Sequence, residues 1–428
     1  MYIGSFIRLL GPTFTDAVKI ILAGSVIAGA GAIFAALRVR RGILPSLTGA
    51  LSFIFAPYLL YDLYHRGSVG EVLAISAAAF ALLALSRGWT WLFAPAVGLL
   101  IISHNTVAML MGVVLLSLVL VHSARVRFLI SGILGVGFAA FFWLPALVEK
   151  NLVRFDLVTV SDPSAYFVTL ANAGLLGVAV IVSLAVMLRL KNTLTAEDKV
   201  MTLWTTVGLL LSLPISMPLW KVTEFSSLIQ FPYRLLVLPV LLGPWMVSFV
   251  TEKLKGWAQR AFVGVLIIIW MIGIIPPLNR IKYVVRSEGF YTTNEATTNV
   301  ANEYMPRWVT DVPVTRPVET LEVIDGDVTL SGRTFSGERI LFTADAKVES
   351  KVQINKVYYP GWGVTIDNRL IPINYHNALG VMQIEIPQGN HTVSIQFRET
   401  PFRFIADLIS LISFIVYLIL IRRLQKSS

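Results

Sequence analysis

Cysteine is absent from all 428 residues, which excludes disulfide staples, thiolate metal sites and cysteine nucleophiles. Charge is scarce as well: Asp, Glu, Lys and Arg make up 14% of the chain, against about a quarter in soluble globular proteins. Histidine is rarer still, with His65, His104, His122, His376 and His391 scattered and no paired spacing of the zinc type. No internal repeat or low-complexity tract is visible.

What is abundant is apolar surface: 56% of residues are hydrophobic and the mean hydropathy is +0.73. A chain of this composition belongs in a lipid bilayer. Apolar runs, most of them about 17 to 22 residues long and so about long enough to cross a membrane as helices, alternate with short polar punctuation. Eleven are legible, over 16–37, 44–62, 69–86, 88–103, 105–121, 126–147, 167–190, 199–216, 231–251, 258–277 and 403–421. The very short gaps at Arg87 and His104 also fit a re-entrant pair, which lowers the count to nine.

The net charge of +10 follows the membrane and not a nucleic acid. One set of alternate loops (38–43, 87, 122–127, 189–199, 252–260 and 422–428) holds fifteen Lys and Arg, whereas the other short loops (1–15, 63–70, 148–166 and 217–234) hold six. The positive-inside rule then puts the first set, with the C-terminus, in the cytoplasm, and the stretch around Arg66 outside. An odd helix count leaves Met1 outside, with only about fifteen residues and no cleavable signal before the first run, so a missing upstream helix and an N-terminally truncated chain are expected.

From Asn279 to Phe402 the character changes. ETLEVI (319–324), ERILFTADA (338–346), KVQINKVYY (351–359), VMQIEI (381–386) and HTVSIQF (391–397) alternate as strands. Asp325-Gly326, Ser331-Gly332, Pro360-Gly361 and the run 388–390 read as turns. YYPGWGVTIDNRLIPI (358–373) reads as strand, turn, strand with Trp362 exposed. The expected architecture is a polytopic α-helical membrane protein of about eleven transmembrane helices with an antiparallel β-sandwich before the last helix: a membrane domain over 1–278, an extracytoplasmic β domain over 279–402, and a final helix with a basic cytoplasmic tail over 403–428.

The centres of the apolar runs hold no ionisable residue, because charge in hydrocarbon is costly, and such groups collect at the external helix ends. There stand Asp62, His65, Arg66 and Glu71, then His104 and Asn105, Glu149 and Lys150, and Gln230 and Arg234. Arg66 and Arg234 are candidates to fork onto phosphate oxygens, with His104, Asn105 and Gln230 as further hydrogen-bonding groups for a bound substrate. Asp62 and Glu71 are the candidate catalytic carboxylates, and two carboxylates are a weak signal for a divalent cation. Bland readings stand beside these. Ser68 to Glu71 fits a capping box, Arg66 an interfacial snorkel, His104 and Asn105 a helix cap. Tyr58, Tyr61, Tyr64, Trp143 and Trp220 fit an aromatic belt, and Gly67 with Gly70 a tight reversal.

Several stretches in order, PYLLYDLYHRGSVGEVLA, SHNTVAML, FFWLPALVEK, QFPYRLL, NEYMPRWV and YYPGWGVTIDNRLIPI, resemble the bacterial integral-membrane family labelled 6-pyruvoyl-tetrahydropterin synthase-related, itself similar to YfhO-like membrane proteins and C-type glycosyltransferases. The label's pterin chemistry has no support, since the histidine zinc site of the soluble synthase has no counterpart here. The likeness to C-type glycosyltransferases implies sugar transfer from a polyprenyl-phosphate donor at the extracytoplasmic face of the plasma membrane to a glycan or protein acceptor, for cell-envelope assembly. By that analogy Arg66, His104 and Arg234 contact the donor phosphate. It also implies a catalytic acid in a first external loop that this sequence starts beyond, leaving Asp16, Asp62 and Glu71 as substitutes. Two other readings stay open: a non-catalytic anchor presenting the β domain to a glycan or partner, and a transporter or flippase, which the uncharged run centres disfavour. The absence of native cysteine makes the topology testable: single cysteines from Arg66→Cys and Arg234→Cys are expected to react with an impermeant maleimide from the same, external face, and labelling from opposite faces would refute the assignment.

Overall fold

The computed structural model describes residues 2–158, 160, 162–223, 225–279, 284–292 and 302–426. Part of the expected junction before the β domain (280–283 and 293–301) and the end of the basic tail (427–428) lie outside the described residues.

Among the described residues, six helices are long and apolar enough to cross a membrane: Phe14–Leu37, Ile43–Arg66, Val69–Arg87, Pro232–Lys253, Gly256–Ile275 and Pro401–Ile421. Three bent pairs, Arg125–Phe138 with Ala140–Leu152, Leu170–Leu176 with Val178–Arg189, and Ala196–Leu211 with Pro214–Val222, turn by 63°, 66° and 86° and bring the number to nine if each is one span. Thr90–Ser103 and Asn105–Val121 are apolar but short. The eleven runs of the hydropathy reading therefore resolve into long, broken and short helices. Hydropathy sums apolarity along a run and is blind to the left-handed Gly177 (φ +74°) or to Pro214, each of which stops a helix inside one.

Local chemistry accounts for the ends. Thr13 caps Phe14–Leu37 by accepting from the Asp16 amide at 3.1 Å, and the Asp16 carboxylate accepts from the Thr13 hydroxyl. Gly88, at φ +71°, closes Val69–Arg87.

The chain forms two compact units that do not follow chain order: Met1–Trp143, Thr159–Thr292 and Ile409–Ser428 in one, Leu144–Val158 and Thr293–Leu408 in the other. In the helical unit Pro232–Lys253 is the central element, with 94% of its apolar window buried, whereas Gly256–Ile275 is 11% buried and leaves its apolar flank for lipid. Ile43–Arg66, Val69–Arg87 and Pro232–Lys253 act as three struts. One end of each meets the others around Glu71, and the opposite ends lead to Arg41, Ser86 and Glu252, so the struts hold two polar clusters apart by roughly 28 to 36 Å of helix.

The other unit carries eight antiparallel strands: β1 (Leu321–Asp325), β2 (Val328–Phe335), β3 (Arg339–Ala346), β4 (Ser350–Val357), β5 (Trp362–Ile366), β6 (Arg369–Ile371), β7 (Val381–Ile386) and β8 (Gly389–Phe397). They form a three-stranded sheet, β1-β4-β7, and a five-stranded sheet, β2-β3-β8-β5-β6. Period-2 burial builds the core: Ile340, Phe342, Ala344 and Ala346 from β3 meet Val352 and Ile354 from β4, with Met382, Ile384, Val393 and Ile395. Two expectations change here. Ser331-Gly332 is not a turn but a bulge inside β2, where the register with β3 shifts after Ser331 and Gly332 takes φ +60°. Trp362 is not exposed but half-buried, edge-to-face with Phe397 at 5.3 Å under the Lys356 ammonium.

At the β5–β6 hairpin, Asp367 and Asn368 take left-handed conformations, and Asp367 reaches across to β8. Its Oδ2 lies 2.7 Å from His391 Nδ1 and its Oδ1 accepts from the Thr392 amide at 2.9 Å. The hydrogen bond to Asp367 holds His391 above its ordinary value, and the bonds from His391 and Thr392 hold Asp367 below its own. The histidine contribution to stability is complete below about pH 6.5 and fades as pH rises through the folded-state value; the aspartate contribution is complete above about pH 4 and fades as pH falls. In the full chain, Asp367→Asn is expected to move the His391 titration seen by NMR down toward that of free histidine, whereas an unmoved midpoint would refute the coupling.

Candidate functional site

The Ile43–Arg66 helix restarts at Pro57 after a break and then widens into a single π turn, Asp62–Arg66, ended by Gly67 at φ +60°. One-turn π segments are rare and concentrate at functional sites. Tyr58, Asp62 and Arg66 stand four residues apart, on one face. That face meets Glu71 in the first turn of Val69–Arg87.

Glu71 and Asp62 have no exposed surface. Around Glu71 the donors converge: the Tyr58 hydroxyl donates to Oε1 at 2.6 Å, and Arg66 Nη1 to Oε2 at 2.7 Å. His104 Nε2 and Arg234 Nε stand 3.6 and 3.8 Å from the same Oε2. Arg66 Nη1 also donates to Asp62 Oδ1 and, at 3.3 Å, to the Tyr58 oxygen. Two guanidiniums thus offset two buried carboxylates, without which either carboxylate would cost several kcal/mol.

The network is incompletely closed. Asp62 Oδ2 and Arg234 Nε are buried with no hydrogen bond. All three Arg66 contacts use Nη1, and Arg234 spends Nη1 alone, on Gln230 Oε1 at 2.7 Å and the Ile229 carbonyl at 3.3 Å. Among the described residues, the second terminal nitrogen of each guanidinium makes no hydrogen bond. Aromatic rings wall the cluster. Tyr58, Tyr61 and Tyr233 lie 6.0 to 6.4 Å apart, the Arg66 guanidinium stands 5.7 Å over Tyr233, and that of Arg234 stands 4.9 Å over Phe231. Tyr58 also lines an apolar cavity of about 260 Å³ with Phe55, Leu176, Val180, Leu236 and Trp270.

The fold brings together Asp62, Arg66, Glu71, His104, Gln230 and Arg234. Asn105 is exposed and outside the cluster, and His65 is exposed and stacked on Tyr61 at 4.7 Å. Asp16 serves its helix cap. Glu149 belongs to the other unit, where Arg403 grips it at 2.7 and 2.8 Å and the Tyr359 hydroxyl donates at 3.0 Å; burial, with Glu149 adding to it, pushes the Tyr359 phenol up to about 12. No group of three or more metal-ligating side chains occurs among the described residues, and the cation shared by Asp62 and Glu71 is Arg66.

Local expectations are corrected by tertiary contacts. Ser68 occupies the N-cap, but its side chain makes no capping bond and Glu71 turns to Arg66 and Tyr58 instead, because burial makes an ion pair worth more than a cap. His104 does cap, its Nδ1 accepting from the Val107 amide at 3.3 Å. Tyr58 and Trp220 are buried at 1% and 2% exposure, so they are packing residues and not a lipid-facing belt. Tyr58 is the member of the cluster that composition hid, though its four-residue spacing to Asp62 and Arg66 was a usable signal.

Gly70 is not at a reversal: it lies within a helix, where a Cβ would come within 2.7 Å of the Ser103 carbonyl oxygen. That close approach seats His104 beside Glu71. Gly70→Ala is therefore expected to cost about 1–3 kcal/mol by overpacking against backbone, read as a lower unfolding midpoint in detergent; an unchanged midpoint would contradict the packing. Searches for relatives find none: no protein-family model, no curated protein and no solved structure matches the chain.

Proposed function

We propose that this protein is a multi-pass membrane glycosyltransferase of the C type, taking a sugar from a polyprenyl-phosphate donor at the extracytoplasmic ends of its helices for cell-envelope glycan assembly. The observation that carries the reading is the pairing of an unsatisfied, buried Asp62 Oδ2 with two guanidiniums that each keep donors unspent. Arg66 and Arg234 take the donor's phosphate oxygens, with His104 adding a hydrogen bond. Asp62 accepts the proton of the acceptor hydroxyl as its oxygen bonds to the anomeric carbon, while the bond from that carbon to the phosphate oxygen breaks and polyprenyl phosphate leaves. Glu71, which already accepts from the Tyr58 hydroxyl and from Arg66 with His104 and Arg234 close by, is the counter-charge that aims the arginines. The resemblance in the motifs supports this reading, as does the apolar cavity that shares Tyr58 with the cluster.

A second reading, a non-catalytic anchor that presents the β unit to a glycan or partner, is favoured by the mutual neutralisation of the same four charges. Turnover with a radiolabelled polyprenyl-phosphate sugar separates them. Asp62→Asn is expected to lower kcat by roughly 10²–10⁴ with little change in donor binding, and Arg234→Lys to weaken donor binding about tenfold through loss of one charge-assisted hydrogen bond. Wild-type protein without turnover, or both variants behaving as wild type, would sink the enzyme reading.

A further inference from the structure

At the opposite end of the helical unit, Phe14–Leu37, Val69–Arg87, Ala196–Leu211 and Pro232–Lys253 line a second cavity of about 200 Å³. Arg40 and Arg41 reach it from the turn after Phe14–Leu37, Glu197 and Asp198 from the first turn of Ala196–Leu211, and Glu252 and Lys253 from the end of Pro232–Lys253, over a floor of Trp245 and Phe249. Arg40 and Glu197 pair off at 2.7 Å. The remaining four charges do not close on one another. The Arg41 side chain is only 9% exposed, yet its guanidinium makes no hydrogen bond among the described residues and stands 3.7 Å from Asp198 and 3.6 Å from Glu252, just beyond bonding distance. Lys253 rests 5.3 Å above the Phe249 ring with no carboxylate in ion-pair reach among the described residues. Among the described residues Glu252 has no partner besides Arg41 at 3.6 Å, and Asp198 spends Oδ2 on the Thr195 amide and hydroxyl while Oδ1 stands 3.7 Å from Arg41.

We propose that this cavity binds the headgroup of a phospholipid carrying a phosphate and a primary ammonium, the phosphoethanolamine group. A guanidinium held only by two long ion pairs, a lysine with no carboxylate in reach among the described residues and two under-used carboxylates make a pocket with no net preference for an anion or a cation, which suits a ligand holding both charges. Arg41 and Lys253 take the phosphate, and Glu252 and Asp198 take the ammonium. A primary ammonium donates hydrogen bonds to those carboxylates, whereas a quaternary one has no N–H to offer, and a glycerol headgroup leaves the carboxylates without a cation. The depth agrees: the pocket lies where three apolar helices end, the level at which headgroups sit. This inference is independent of the activity proposed for the Glu71 cluster.

Native mass spectrometry of the full chain released from nanodiscs containing equal phosphatidylethanolamine, phosphatidylcholine and phosphatidylglycerol tests it. Wild type is expected to retain phosphatidylethanolamine about tenfold over either other lipid, and Glu252→Gln, at a half-exposed side chain whose loss spares the core, to erase most of that preference. Lys253→Gln is expected to weaken retention without restoring phosphatidylcholine. Equal retention of the three lipids by wild type, or an unchanged preference in both variants, overturns the proposal. A rise in unfolding midpoint with soluble O-phosphoethanolamine, but none with phosphatidylethanolamine discs, assigns the pocket to a soluble zwitterion and overturns the lipid.

Discussion

The cost of burying the Glu71 carboxylate organises one end of the helical unit. A side chain with no exposed surface, one turn into an apolar helix, holds its charge only if donors come to it, and they come from three segments: Tyr58 and Arg66 from the preceding helix, His104 from the junction of two short helices, and Arg234 from the start of the central one. Each brings constraints of its own. The π turn turns Arg66 inward, Gly70 lets the backbone at Ser103 close in, and Gln230, itself at φ +71°, steadies Arg234.

The gathering of donors on Glu71 is what leaves its neighbour short of them. Arg66 gives a single terminal nitrogen to both carboxylates, so Asp62 receives one bond on Oδ1 and none on Oδ2. An unpaired buried acceptor raises the energy of the free protein, and that cost is returned when a ligand donor arrives. The far ends of the same struts repeat the theme with different chemistry, since Arg41 is buried beside two carboxylates that it does not reach. Two helices, Val69–Arg87 and Pro232–Lys253, run from one cluster to the other and couple their packing.

How much of this was legible depended on distance along the chain. Period-2 alternation located most strands of the β unit, including Arg339–Ala346 and Val381–Ile386, because each strand's burial is written in its own residues. Val328–Phe335 escaped because its bulge carries a Ser-Gly pair that mimics a turn. Sorting polar residues by alternate loops gathered Asp62, Arg66, Glu71, His104, Gln230 and Arg234 before any coordinates, since desolvation confines such groups to helix ends. The same sorting placed Glu149 with them; it belongs instead to the unit of its partners Arg403 and Tyr359, which lie more than two hundred residues away along the chain, beyond the reach of any local rule.

The sequence alone determined that the chain is rich in membrane-length apolar helices, that a separate β-rich unit precedes the last of them, and that charged groups crowd helix ends, because hydropathy, alternation and desolvation act on each residue where it stands. Only the tertiary structure decided which carboxylate gathers the donors and which keeps an oxygen without one, that Glu71 serves the cluster and not its own helix cap, and that Tyr58 is a donor and not a membrane anchor. Those outcomes turn on differences of an ångström between side chains from separate helices, set by how the helices pack.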